Sequence, residues 1–133
     1  MENKTMNYKM WDGKEIQVSL YIDSYMDNNN IYVALVSGEY DQEELFADIT
    51  VNLNDLTEYC GYIDTNNSPQ LEKFIEENGI GEIVGVGRAS GFCTYPLCIF
   101  NPEKLRELCP EGMKRYEESI GVKQKEMEVK QVR

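Results

Sequence analysis

A glycine-rich stretch, GVGRASGFCTYP at residues 85–96, combines residue types that bind phosphate or perform nucleophilic chemistry. Its glycines follow the spacing G-x-G-x-x-x-G, whereas the dinucleotide fingerprint is one residue shorter and must open a helix. The residues after Gly91 look extended, and the Gly-Lys-Ser/Thr ending of a P-loop is absent. We therefore expect a backbone passage in which glycines supply positive φ or close approach. Arg88, Ser90 and Tyr95 are its candidate ligand-binding residues.

Four cysteines, Cys60, Cys93, Cys98 and Cys109, could bind a metal ion or supply a nucleophile. A four-cysteine zinc site is built from two close pairs, and only Cys93 and Cys98 are close in sequence. The chain contains no histidine, which removes Ser–His and Cys–His nucleophile pairs. A reactive Cys93 or a carboxylate pair is the enzyme chemistry left open. We expect the four thiols to be reduced and mostly buried. We also expect that the protein is not an enzyme and binds no metal ion and no cofactor.

The segment DTNNS, which begins at Asp64, places oxygen ligands at alternate positions like the start of a calcium loop. The pattern then fails, because Pro69 replaces the required glycine and Ile75 replaces the bidentate acid. We expect a turn that leads into a helix, with Ser68 as the N-cap and Pro69 as the first helical residue.

Acidic residues are concentrated in the first half of the chain. The net charge is −11, and residues 1–60 hold twelve acids and three bases, against twelve acids and ten bases in residues 61–133. A negative field repels nucleic acid and membrane surfaces and attracts basic protein surfaces, although it can also serve solubility alone. The acids expected to be exposed, and so to form a partner-binding surface, are Asp23, Asp27, Glu39, Asp41, Glu43, Glu44, Asp48, Asp55 and Glu58.

Alternating apolar residues predict three N-terminal strands, at 15–25, 31–36 and 47–53, joined as an antiparallel meander. A later segment, 93–100, is strand-like, and Pro96 predicts that it is an edge strand or carries a bulge. The predicted class is α+β, with an antiparallel sheet of about four to five strands and two to three helices packed on one face.

Helical periodicity and cap signals predict three helices in the second half of the chain. The first covers 69–78 and ends at an Asn-Gly pair. The second begins after an Asn-Pro cap and is stopped by Pro110, and the third covers 111–121 and ends at its last residue, a glycine. A terminal strand, a helix extension and a flexible segment all remain open for the charged tail, 121–133.

The length predicts one domain, 1–133, with a core from about 15 to 120. The chain contains no run of 18 apolar residues, and its polar start lacks the apolar region of a signal peptide, so we expect a cytoplasmic protein. The predicted core residues are Val18, Leu20, Ile22, Val33, Leu35, Ile49, Val51, Leu53, Leu71, Phe74, Ile75, Phe100, Leu105 and Leu108.

Three stretches together carry a family resemblance: ITVNL (49–53), YIDTNNSPQLEKFIEENGIG (62–81) and GRASGFCTYPLCIFN (87–101). They resemble a family of small uncharacterised bacterial proteins, described as a domain of unknown function and often carried on mobile elements of gut anaerobes. The resemblance covers roughly residues 15–108. It implies no catalytic residues. It implies a setting in which small acidic proteins bind host defence proteins, as anti-restriction and anti-CRISPR proteins do.

Charge and resemblance together favour a non-enzymatic protein-binding module, an inhibitor of a nucleic-acid-binding defence protein. The expected partner is a basic protein surface on a CRISPR effector or a restriction enzyme, where carboxylates of this chain would take the place of DNA phosphates. We expect no direct binding of nucleic acid and no binding to a membrane. The alternative is a small-ligand or peptide-binding accessory domain that uses Arg88, Ser90 and Tyr95.

Overall fold

The computed structural model describes residues 3–38, 44–85, 88–90 and 93–132, with side chains for all of these except 88–90 and 122–132. The elements are, in chain order, β1 (Met6–Lys9), β2 (Glu15–Ser24), β3 (Ile31–Ser37), β4 (Glu44–Asp48), β5 (Thr50–Val51), β6 (Cys60–Ile63), α1 (Leu71–Glu77), β7 (Gly81–Ile83), β8 (Arg88–Ser90), β9 (Cys93–Tyr95), β10 (Leu97–Phe100), α2 (Pro102–Leu108) and α3 (Pro110–Val132).

Strands β1 to β4 form an antiparallel meander, sheet A, in which each strand pairs with the next along the chain. The strict alternation in β2 buries Val18, Leu20 and Ile22 on one face and leaves Tyr21 exposed on the other. The predicted α+β class and N-terminal meander are therefore confirmed.

A second antiparallel sheet, sheet B, has the strand order β5-β6-β10-β7. The segment predicted as a single third strand, 47–53, is divided between the two sheets at Ile49. The Ile49 N–H donates to the carbonyl of Val33 in sheet A, and its carbonyl accepts from Asp64 next to sheet B. One continuous alternating segment thus supplies an outer strand to both sheets.

Pro96 divides the predicted strand 93–100 into β9 and β10. The prediction of an edge strand is wrong for the second half, because β10 lies between β6 and β7. The proline lies just before the ladder of β10, where its missing N–H costs no strand hydrogen bond. Its carbonyl instead accepts from Ile63.

Helix α1 begins at Leu71, two residues after the predicted start, and Ser68 does not cap it. The backbone carbonyl of Ser68, and not its hydroxyl, accepts from the Leu71 N–H at 3.1 Å. The predicted stop is confirmed, because Gly79 has a φ of +67° and its N–H bonds the carbonyl of Glu76.

Helices α2 and α3 follow with one residue between them. Asn101 caps α2 by accepting from the Lys104 N–H at 3.3 Å, with Pro102 in the first turn, as predicted. Pro110 does stop α2, but it also begins α3, since a first-turn proline loses no helical bond. The predicted end of α3 at Gly121 is wrong: this glycine stays helical, and the helix continues to Val132.

The core lies between the concave face of sheet A, sheet B and the three helices. Of the predicted core residues, all are buried except Val51 and Leu53, which are half-buried. Sheet A is strongly curved, because Tyr8 on β1 and Phe46 on β4 lie on its two outermost strands while their ring centroids are 5.3 Å apart. Phe74 of α1 packs against the same tyrosine ring at 5.1 Å.

Candidate functional site

The glycine-rich stretch forms a small hairpin in which β8 pairs with β9. The register places Arg88 opposite Tyr95 and Ser90 opposite Cys93. Gly85 has a φ of +65°, as predicted for a glycine of this passage. The other two glycines, and the side chains of Arg88 and Ser90, lie outside the described residues, so a ligand site on this hairpin stays a prediction.

The four cysteines are free thiols. Cys98 and Cys109 are buried, while Cys60 and Cys93 are half-buried. Burial raises the pKa of Cys98 to about 12, and it also raises the pKa of Cys60 and of Cys109. A raised pKa keeps a thiol protonated and weakly nucleophilic near neutral pH. Among the described residues, no three Cys, Asp or Glu side chains are close enough together to hold a metal ion.

Two predicted acids, Asp23 and Asp48, lie on the outer side of sheet A around Tyr32. Asp23 is the register partner of Tyr32, whose hydroxyl donates to Asp48 at 2.6 Å. Burial and then Asp48 itself raise the pKa of Tyr32, so the phenol remains a donor at neutral pH. Asp23 also lies 3.6 Å from the guanidinium of Arg115 on α3.

Three more predicted acids, Asp27, Asp55 and Glu58, lie on two loops that are joined by asparagine side chains. Asp27 and Asp55 are exposed and Glu58 is half-buried. Asn30, at the end of the β2–β3 turn, donates to the side chain of Asn52 and to the carbonyl of Asn54 at 2.9 and 2.7 Å.

Asn30 also accepts from the backbone of Leu56 at 3.0 Å. A second bond joins the side chains of Asn28 and Asn52 at 3.1 Å. These long-range bonds hold the second loop, 52–59, against the turn at the tip of the β2–β3 hairpin.

The remaining predicted acids do not join this group. Glu44 is exposed at the opposite end of β4, where it pairs in register with Ser37. Glu39, Asp41 and Glu43 lie outside the described residues.

Aromatic side chains share the surface with the acids, which the acidic pattern alone did not predict. Tyr32 contacts Tyr21 and Tyr25 edge-on, with centroids 6.1 and 5.3 Å apart. Tyr21 is partly exposed, and the guanidinium of Arg115 lies over its ring. Met26, at the tip of the β2–β3 hairpin, is 98% exposed. We call the group the hairpin-tip surface; it consists of Tyr21, Asp23, Met26, Asp27, Tyr32, Asp48, Asp55 and Glu58.

A groove separates the outer edge of β1 from α1. The groove is open to solvent and has a volume of about 660 Å³, and one of its lining residues is Trp11, which is 82% exposed. A smaller pocket of about 420 Å³ adjoins the groove at Trp11. It lies between the two outermost strands of sheet A, beside Tyr8 of β1 and Phe46 of β4. Volumes in this range suit a specific ligand. The groove could not be predicted from the sequence, because β1 is only four residues long and its short alternation lies inside a polar stretch.

A family model described as a domain of unknown function, DUF4313, matches residues 19–120. The chain belongs to the DUF4313 family. No curated protein and no solved structure matches the chain. No helix in the described part of the chain combines the length and the apolar character needed to cross a membrane.

The DUF4313 match covers some of the candidate residues and leaves others out. All of the hairpin-tip surface and α1 fall within residues 19–120. Strand β1 and Trp11, which form one side of the groove, precede the matched segment.

Proposed function

We propose that this protein is a non-enzymatic binding module whose hairpin-tip surface binds a basic surface of another protein. The observation that carries the proposal is the grouping of five carboxylates with exposed Tyr21 and Met26 on adjoining strands and loops. A charge that served only solubility would not require exposed aromatic and methionine side chains beside the carboxylates.

The composition of this surface favours a protein partner. Interface centres are enriched in Tyr, Met and Arg and depleted of Asp and Glu, which belong to the solvated rim. Tyr21, Tyr32 and Met26 would fill the centre, and the carboxylates would surround them. Rim charges mainly speed and orient association with a partner of opposite charge.

The finer form of the proposal is an inhibitor of a nucleic-acid-binding defence protein, such as a CRISPR effector or a restriction enzyme, acting in the cytoplasm. Such proteins have basic channels that follow a DNA backbone with one negative charge per about 1.7 Å of axis. The net charge of −11 and the resemblance to proteins of mobile elements support this form. Carboxylates of the hairpin-tip surface would then occupy positions of phosphates.

The test is capture of purified CRISPR effectors and restriction enzymes on the immobilised protein, at about 0.1 M and about 1 M salt. The Debye length falls from about 10 Å to about 3 Å between these conditions, so attraction between exposed charges should be largely lost. We expect capture at the lower salt only, and at least a tenfold loss of affinity in the double variant Asp27→Lys/Asp55→Lys.

The matched control is Glu72→Lys/Glu82→Lys. It makes the same change of net charge at exposed positions outside the hairpin-tip surface. Glu72 lies on α1, and Glu82 lies on β7, an outermost strand of sheet B. Equal losses in both double variants would reduce the effect to overall charge and overturn the assignment of the surface. Binding that does not depend on salt and is retained in Asp27→Lys/Asp55→Lys would overturn the proposal that carboxylates occupy the positions of phosphates.

A further inference from the structure

Strand β1 presents unpaired backbone groups to the groove between β1 and α1. It is an outermost strand of sheet A, and it pairs only with β2 among the described residues. The Met10 N–H donates to the Lys14 carbonyl at 2.7 Å at the closed end of this pair. Because antiparallel ladder bonds fall on alternate residues, the N–H and C=O groups of Met6, Tyr8 and Met10 point towards β2.

The backbone groups of Asn7 and Lys9 consequently point away from the sheet. Both residues line the groove. Together they present two donors and two acceptors along a free edge, which is a template for one more strand.

The facing wall is one side of α1. Gln70, Lys73, Phe74 and Glu77 line the groove, at the i, i+3, i+4 and i+7 spacing of a single helical stripe. Charge on the two walls is balanced, since Lys9 lies opposite Glu15 in the β1–β2 register and Lys73 lies 3.6 Å from Glu77. The groove therefore differs from the acidic hairpin-tip surface and suits a segment without net charge.

We propose that the groove binds an extended, uncharged peptide segment of a partner protein, which adds to β1 as a further strand. Its backbone would pair with Asn7 and Lys9, and one apolar side chain would enter the pocket beside Tyr8 and Phe46. Trp11 would cover the segment where the groove and this pocket meet. Strand addition of this kind takes affinity from main-chain hydrogen bonds and specificity from pockets for alternate side chains. The site is separate from the hairpin-tip surface, so either proposal can fail without the other.

The test begins with selection of a random library of displayed ten-residue peptides on the immobilised full chain. Trp11 is the only tryptophan, so binding at the groove can be followed by its fluorescence. We expect enriched peptides with apolar residues at alternate positions and no net charge, and we expect them to shift the Trp11 emission. Methylation of alternate backbone nitrogens should weaken them at least tenfold, because it removes the donors of a strand.

A matched pair of variants examines the edge of β1 itself. Lys9→Pro removes the outward N–H of residue 9 and leaves the ladder to β2 intact, whereas Lys9→Ala keeps that N–H. We expect at least a tenfold loss of affinity for Lys9→Pro and less than threefold for Lys9→Ala. If Lys9→Pro does not fold, as judged by circular dichroism, the methylated peptides decide the question.

Three outcomes would overturn the proposal. The first is a library that yields no peptide able to shift the Trp11 emission. The second is enriched peptides that tolerate backbone methylation. The third is self-association of the chain at micromolar concentration that Lys9→Pro abolishes, which would make a second copy the occupant of the edge.

Discussion

Gly112 of α3 lies against the backbone of Ile22 in β2. A Cβ built on Gly112 would stand 2.7 Å from the carbonyl oxygen of Ile22 and 2.7 Å from the Cys109 sulfur. Real Cβ atoms do not approach backbone that closely, so only glycine lets the helix approach the sheet this far. This close approach also lets Met113 and Tyr116 enter the core beside it.

We predict that Gly112→Ala lowers the free energy of unfolding by about 2 kcal/mol, because overpacking a filled core costs more than the gain in helix propensity. Gly121→Ala is the matched control in the same helix, since its Cβ would meet nothing within 4 Å. The control should raise stability by up to about 1 kcal/mol. Urea unfolding of both variants measures the difference. Equal effects would mean that Gly112 of α3 does not lie in close contact with the backbone of Ile22.

Much of the fold could be predicted from local patterns. Alternation located β2 and β3, and cap residues located the start of α2 and the end of α1. The errors arose where a tertiary contact decided the outcome. A period of two cannot show where a strand leaves one sheet for another, as happens at Ile49. A serine before a helix cannot show that the helix begins two residues later than expected and without a side-chain cap.

We predict that Asn30→Ala lowers the free energy of unfolding by about 2–4 kcal/mol. Asn30 is 7% exposed, and its side chain bonds the side chain of Asn52 and the backbone of Asn54 and Leu56. Its loss leaves several polar groups without partners, each costing about 1–3 kcal/mol when buried. Asn66→Ala, which removes one exposed bond to Thr94, should cost less than about 1 kcal/mol.

Chemical denaturation of these two variants provides the measurement. Amide hydrogen exchange should in addition locate the loosened region at residues 52–59 in Asn30→Ala. An Asn30→Ala protein as stable as the unchanged chain would contradict the role given to this residue in holding Asp55 beside the hairpin.

We predict that Cys98 and Cys109 do not react with a thiol reagent in the native protein at pH 8. Both are buried, and burial raises the pKa of both thiols, to about 12 for Cys98. Mass mapping after labelling in buffer and in urea measures each site separately, and all four cysteines should be labelled in urea. Labelling of Cys98 or Cys109 in buffer as fast as in urea would contradict this prediction.

The candidate site was less accessible to sequence reasoning than the fold. Acidic residues could be recognised by composition, but their grouping depends on bonds between residues far apart, such as Asn30 and Asn54. Arg115, which neutralises part of the field at Asp23, is distant in sequence and on another element. The groove beside Trp11 arises from the curvature of sheet A, which no local pattern encodes.

We predict that Glu117 makes stability depend on pH in the acid range. Its carboxylate accepts from the Arg106 guanidinium at 2.9 and 2.7 Å and from the Tyr59 hydroxyl at 2.6 Å. The hydrogen bonds from Arg106 are the largest cause that lowers the pKa of Glu117 below its ordinary value. Since the native pKa is the lower one, this stabilisation is complete above the unfolded-state value, about 4.3, and disappears as the pH falls through the native value.

Glu117→Gln should therefore cost about 1 kcal/mol at pH 7, a modest figure because Arg106 is about half exposed. The cost should shrink as the pH falls below about 4. Urea unfolding between pH 3 and pH 7 measures this cost, with Glu118→Gln, an exposed neighbour on the same helix, as the control. A cost that is independent of pH would mean that the bidentate ion pair contributes through packing alone.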